Sequence, residues 1–330
     1  MKSISLRMFL LVLLVVLILL IAPAFGSTSI PIVQTWKEWF FGDGESMESL
    51  ILFSTRLPRI AFAFVAGAGL AVAGCVYQGV LRNDLAEPYS LGVAGGAAFG
   101  ALCALHLAGG MMGISVPVGA FVGSLLSVAC ILGLARLRSA QPTPATLLLA
   151  GVSLNFLFGG GIMLVQYLND PFQSVLLMRW LMGGLYVYDW TVVITSGVIL
   201  MGTLVICLML SRSLDVLSMG TQTAFHLGVS VVRTQILLLG AVSLLVAFLV
   251  SQSGPVGFVG LVIPHALRRL ISPRHVFLIP ACAVGGGGFL VLCDTIARTA
   301  LSPTELPVGI LTAFIGVPFF LLILVRSRNL

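Results

Sequence analysis

The chain has 330 residues, 59% of them hydrophobic and only 8% charged, with a formal net charge of +6 and a mean hydropathy of +1.14. Soluble domains carry about 25% charged residues, and a water-borne fold of this length could not cover so much apolar surface. The bilayer is left as solvent, and a surplus of cations on such a chain reads as an orientation signal rather than a nucleic-acid footprint.

A spanning helix needs about 20 mostly apolar residues, and the runs free of Asp, Glu, Lys and Arg supply the expected elements. Residues 8–25 form one span and 60–81 another. The run 88–135 is long enough for two, with the glycine-rich 109–113 and Pro117 marking the turn. One span is expected within 139–169 and one within 190–211. The run 234–267 again holds two, broken at 251–257 (SQSGPVG), and 275–293 and 306–325 complete the set. The expectation is an all-α membrane protein of about ten transmembrane helices, one transmembrane permease domain over 1–330. Period-2 alternation is missing, so a barrel is excluded. Lys2 and Arg7, an apolar core and Ala22-Pro23-Ala24 also fit a signal peptide, but the apolar stretch is longer than a typical one.

Lys and Arg fix the orientation. With the N-terminus in the cytoplasm, Lys2, Arg7, Arg82, Arg136, Arg138, Arg212, Arg233, Arg268, Arg269, Arg274, Arg326 and Arg328 fall inside. Lys37, Arg56, Arg59, Arg179 and Arg298 fall outside. An even number of spans returns the C-terminus to the cytoplasm with Arg326 and Arg328, so both arguments agree.

Six cysteines stand singly and four histidines are scattered, without metal-ligand spacing. No Walker A loop occurs, and the only lysines are Lys2 and Lys37, so the chain cannot bind ATP in that way. Zinc-protease and serine-hydrolase motifs are absent too. No catalytic, metal-binding or cofactor-binding residue is assigned; ATP, if used, is used by a partner. Glycine clusters such as 66–69, 159–161 and 285–288 suit close helix packing.

The exceptions to apolarity carry the functional reading. Residues 215–233 are the most polar cytoplasmic stretch, with Leu217, Thr221, Ala224 and Phe225 falling roughly on one helical face. A short amphipathic helix outside the bilayer can seat in a groove of another protein, or rest on headgroups. Arg56, Arg59 and Arg298 lie outside, against the topology bias. They suit carboxylate pairing with a docked protein, or, for Arg298, internal pairing with Asp294 four residues earlier. Asp294 is costly in an apolar span unless paired or wet.

Four segments in order resemble the FecCD-type permease family, the membrane subunits of type II ABC importers for iron-siderophores, heme and cobalamin. They are RLPR at 56–59 followed by QGVLRNDLAEP at 78–88; LLLAG at 147–151 with WLMGG at 180–184; LGV at 227–229; and GPVGFVGLVIPH at 254–265, continued by DTIAR at 294–298, ELPVG at 305–309 and GVPFF at 316–320. The resemblance implies a ten-helix fold with both termini cytoplasmic, in the bacterial inner membrane. It implies two ATPase subunits inside, a periplasmic or lipoprotein substrate-binding protein outside, and a second permease copy or paralogue forming the path.

By the same resemblance, the coupling segment at about 214–230 would dock the ATPase through Asp215, Leu217, Ser218, Gly220, Thr221, Ala224, Phe225, Leu227 and Gly228. Arg56, Arg59 and Arg298 would meet the binding protein. Asn83, Leu85, Thr143 and Thr146 correspond to the cytoplasmic gate. The expected cargo is a bulky metal chelate, with ferric siderophore first and heme or cobalamin next. The alternatives are an ion- or proton-coupled secondary transporter, motivated by Asp294, and a non-transport membrane sensor or scaffold.

Overall fold

A computed structural model describes residues 2–26, 46–108, 115–138, 143–168, 171–187, 189–302 and 304–326. Lys37, Arg328 and the turn at 109–113 lie outside the described residues. Helix α1 (Lys2–Ile21) runs into a short 3-10 turn, Ala22–Ala24. Helix α2 (Met47–Ile51), a π-turn (Leu52–Arg56) and α3 (Leu57–Leu81) follow as one continuous rod. Then come α4 (Val93–Leu107), α5 (Ser115–Arg138), α6 (Pro144–Leu168) and α7 (Pro171–Leu181). The second half holds α8 (Trp190–Met209), α9 (Ser211–Met219), α10 (Thr221–His226), α11 (Val231–Ser253), α12 (Val259–Leu270), α13 (His275–Thr299) and α14 (Val308–Arg326).

Every apolar run contains a helix, yet the count of ten spans is not confirmed. Among the described residues, six helices are long and apolar enough to cross a membrane: Ile4–Ala24, Met47–Leu81, α6, α8, α11 and α13. Three shorter apolar helices are Val93–Leu107, Ser115–Ile131 and Val308–Phe319. Helix α12 has only 12 residues, about 18 Å at 1.5 Å per residue, against a hydrocarbon core of about 30 Å. Apolar runs measure composition; here part of that composition belongs to chain breaks.

The breaks are held by the chain itself. Helix α11 is closed by Gly254 with φ 65°, and α12 is preceded by Phe258 with φ 67°. A left-handed phenylalanine is sterically costly, so its surroundings must impose it. Gly316 lies so close to Phe258 that a Cβ there would collide with the ring. The Tyr89 hydroxyl accepts from the Val256 amide, the Glu87 carboxylate accepts from the Phe258 backbone, and Gly184 donates to the Ser253 carbonyl at 2.8 Å. Irregular backbone is tolerated at membrane depth where protein satisfies it.

The core is built around α3, whose rod is 83% buried along its apolar stretch, against 6% for α6. Without a hydrophobic drive in lipid, helices associate by close packing of small residues. A Cβ on Gly67 would overlap the Gly286 carbonyl of α13, and one on Gly100 of α4 the Gly119 carbonyl of α5. Gly67→Leu should therefore destabilise by about 3 kcal/mol or more, at the upper end of overpacking costs, because backbone must move. Gly197→Ala on α8 meets open space and should stabilise by up to about 1 kcal/mol through helix propensity. Thermal unfolding of both variants in detergent checks the opposite signs.

Candidate functional site

At the end of the bundle that the sequence topology puts inside, α9 and α10 form a helical pair hinged at Gly220, whose φ of 143° suits glycine. Leu214, Leu217 and Ala224 are fully buried, fastening the pair to the bundle. Met219, Phe225 and Leu227 are 74%, 65% and 63% exposed. The single face expected from Leu217, Thr221, Ala224 and Phe225 is thus divided. The break at Gly220 turns Leu217 and Ala224 inward as anchors and leaves Phe225 outside. Gly228, with φ 80°, closes α10. Phe225, Gly228, Val229, Arg233, Ile236 and Leu237 line an open groove of about 690 Å³.

Asp215 is not a free docking carboxylate. Its Oδ1 accepts from the His275 amide at 2.9 Å and lies 2.6 Å from the His275 ring Nδ1. The carboxylate thereby holds the N-terminus of α13, where the helix dipole favours negative charge. Burial raises the Asp215 pKa, but the hydrogen bonds from the His275 ring and amide, with the charges of His275 and Arg274, outweigh it and hold the group below the usual value. Ser218 donates back to the Asp215 carbonyl at 2.6 Å. Sequence reasoning missed His275; a histidine at the first turn of a helix beside a cytoplasmic loop was the available signal.

At the other end of the bundle, outside by the sequence topology, the three arginines expected to meet a docked protein are buried in the chain itself: 4% (Arg56), 5% (Arg59) and 3% (Arg298) exposed. Arg59 donates to Asp294 Oδ1 from Nε at 3.0 Å and Nη2 at 2.9 Å, and to Glu305 Oε2 from Nη1 at 2.7 Å. Its guanidinium also sits over the Tyr186 ring at 5.6 Å, a cation–π contact. Arg298 Nε lies 2.9 Å from Asp294 Oδ2, across one helical turn. Arg56 donates to the Pro23 carbonyl at 3.0 Å and Arg298 to the Phe25 carbonyl at 3.3 Å. The physical reason is Asp294: fully buried, it must be neutralised in place, and two of the arginines do so. The third caps chain that would otherwise leave a buried carbonyl unpaired.

At the inner loop Asn83 Oδ1 accepts from the Leu85 amide at 2.9 Å, forming a side-chain turn. Leu85 is 52% exposed, and Arg268 pairs with Asp84 at 2.8 Å. Thr143 Oγ1 accepts from the Thr146 amide at 3.3 Å and contacts the Thr146 hydroxyl at 2.9 Å, an N-cap for α6. No hydrogen bond joins these two segments among the described residues. No group of three or more His, Cys, Asp or Glu able to hold a metal occurs among the described residues.

The structure is a multi-pass apolar helical bundle with a short helical pair fastened at one end. The chain belongs to the FecCD transport family, whose profile matches residues 12–326. It is 36% identical over 324 residues to the hemin transport system permease protein HmuU of Yersinia pestis, covering 95% of each chain. It is 41% identical over 290 residues to the cobalamin import system permease protein BtuC of Halobacterium salinarum, covering 88% of this chain and 76% of that one. A metal-chelate type ABC transporter solved in an inward-facing conformation superposes with a TM-score of 0.84 at 32% identity, covering 97% of this chain and 98% of the other. The relatives are named as permease proteins of import systems, and the chain shares their family across nearly its whole length.

Proposed function

We propose that this chain is the membrane-spanning subunit of an ATP-driven importer whose cargo is a metal chelate, ferric siderophore first and heme or cobalamin next. The chain acts as one transmembrane domain in the cytoplasmic membrane, paired with a second permease copy or paralogue. Two ATPase subunits bind inside and a substrate-binding protein outside. The observation that carries the reading is the α9–α10 pair: anchored by buried Leu214 and Leu217, it offers Phe225 and Leu227 to a partner. Exposed apolar side chains on an otherwise polar helix pair suit a protein groove. The residues Asn83, Leu85, Thr143 and Thr146 remain the proposed inner gate, and their turn and cap geometry would let the two segments move as units.

Reconstitution with the cognate ATPase and binding protein tests the reading. Uptake of a ferric chelate should require ATP; uptake that ignores ATP and follows a proton gradient would overturn it. The secondary-transport alternative loses its motive, because both oxygens of Asp294 are occupied by arginines. Phe225→Ala with Leu227→Ala should weaken ATPase association at least about tenfold, as truncation of central apolar anchors does. A pull-down titration measures it, with Gln222→Ala as the comparison.

A further inference from the structure

Helix α1 packs one face along α13, with Ile4, Met8, Leu11, Ile18 and Leu19 against the core, and leaves its other flanks open. Val15 is its buried core residue, packed against Gly288, with Leu11 beside Gly285 of the same helix. Along its flank toward α12 a groove of about 540 Å³ remains open, lined by Arg7, Leu10, Leu11 and Leu14 of α1, and by Leu267, Arg269 and Leu270 with Ile271. Leu10, Leu14 and Leu270 are 53%, 56% and 62% exposed. Arg7 Nη1 donates to the Leu270 carbonyl at 2.9 Å, which fixes both helices at one level. That level is the cytoplasmic headgroup zone, because Arg7, Arg268, Arg269 and Arg274 gather there.

Two features of the groove point to its occupant. Neither Arg7 nor Arg269 has a carboxylate partner among the described residues, whereas Arg268 beside them pairs with Asp84. The α1 leucines rise from the arginines toward the membrane interior, while Leu270 lies at the arginine level: Arg7, Leu11 and Leu14 share one face, and Arg7 to Leu14 spans about 10 Å at 1.5 Å per residue. A soluble anion would use the arginines and leave the leucines idle. A zwitterionic lipid carries its own cation and has less to gain from two more.

We propose that the α1–α12 groove binds one anionic glycerophospholipid of the cytoplasmic leaflet, its phosphate on Arg7 and Arg269 and an acyl chain along Leu10, Leu14 and Leu270. Basic grooves between helices on the cytoplasmic side suit such headgroups. The lipid fills the seam that protein side chains leave open and fastens α1 to the bundle.

The test uses the full chain in nanodiscs of phosphatidylcholine with a minor fraction of phosphatidylglycerol, and native mass spectrometry of the lipid retained on release. Wild type should keep phosphatidylglycerol in preference to phosphatidylcholine, at one per chain. Arg7→Gln with Arg269→Gln should lower that affinity about 25-fold, about fivefold for each lost cation near the surface. Arg7→Lys with Arg269→Lys should restore most of it, which separates charge from loss of the Leu270 contact. Arg212→Gln, at an exposed cytoplasmic cation, should leave retention unchanged. Equal retention of the two lipids by wild type, undiminished retention in the double Gln variant, or an equal loss in Arg212→Gln would each overturn the site. Lipid retention requires neither ATP nor a binding protein, so this result and the transport reading stand or fall separately.

Discussion

Arg59→Ala should destabilise the protein by about 3 kcal/mol, and the loss should be nearly independent of salt. The side chain is 5% exposed and makes three hydrogen bonds to Asp294 and Glu305. Removing one member of a buried ionic cluster leaves uncompensated charge and costs roughly 3–5 kcal/mol; Arg298, still against Asp294, keeps the loss near the lower end. Burial shields the cluster from mobile ions, unlike an exposed docking pair, whose energy falls beyond a Debye length of about 10 Å at 0.1 M. Thermal unfolding in detergent at low and high salt reads the difference. A variant that unfolds like wild type but loses binding-protein affinity only at low salt would favour the docking role expected from sequence. The triple change Arg59→Met, Asp294→Leu and Arg298→Met should recover most of the stability, since apolar replacement of a whole buried cluster is often neutral or better. Stability and docking can then be separated in one series.

This cluster shows where sequence reading stops. The Asp294–Arg298 contact was legible, because four residues on a helix is one turn. The Arg59–Asp294 contact joins positions 235 residues apart, and nothing in either segment specifies the crossing of α3 with α13 that creates it. A local signal was nevertheless present: Asp294 and Glu305 flank Arg298 in sequence, so the outer cation surplus was already matched by carboxylates nearby. Apolar runs located each helix, and the SQSGPVG break was visible, but a run of hydrophobic residues does not state how much of it is helix. That is why α12 emerged too short to span. Within the coupling segment the polar-apolar pattern marked the element, while the turn at Gly220 decided which residues became anchors and which stayed outside. A helical wheel assumes one axis, and Gly220 makes two.

The second large effect concerns Asp215 and His275. Asp215→Ala removes the acceptor for the His275 amide and for its ring Nδ1, and His275 is only 3% exposed. Hydrogen bonds to a charged group contribute about 1.5–3 kcal/mol, and the donors left behind are poorly placed to find water. Unfolding should therefore be easier by about 2 kcal/mol. A double-mutant cycle with His275→Ala should return a coupling of about 1–2 kcal/mol, since contacting residues do not add independently. The pH dependence has a definite sign. The Asp215 pKa is held below its usual value, so the folded state binds this proton less readily than the unfolded state does. Its contribution is complete above the unfolded value of about 3.9 and is lost as pH falls through the lower folded value. The gap between wild type and Asp215→Ala should be constant at neutral pH and close only below about pH 4. Under the importer reading the contact also matters for transport, because it ties α9, where an ATPase would press, to the first residue of α13. That helix carries Asp294 near its other end. Asp215→Ala leaves Phe225 and Leu227 in place, so ATPase association should persist while chelate moved per ATP hydrolysed falls several-fold. If uptake and hydrolysis instead decline together, the pair serves stability alone and the stroke enters the bundle through the buried Leu214 and Leu217.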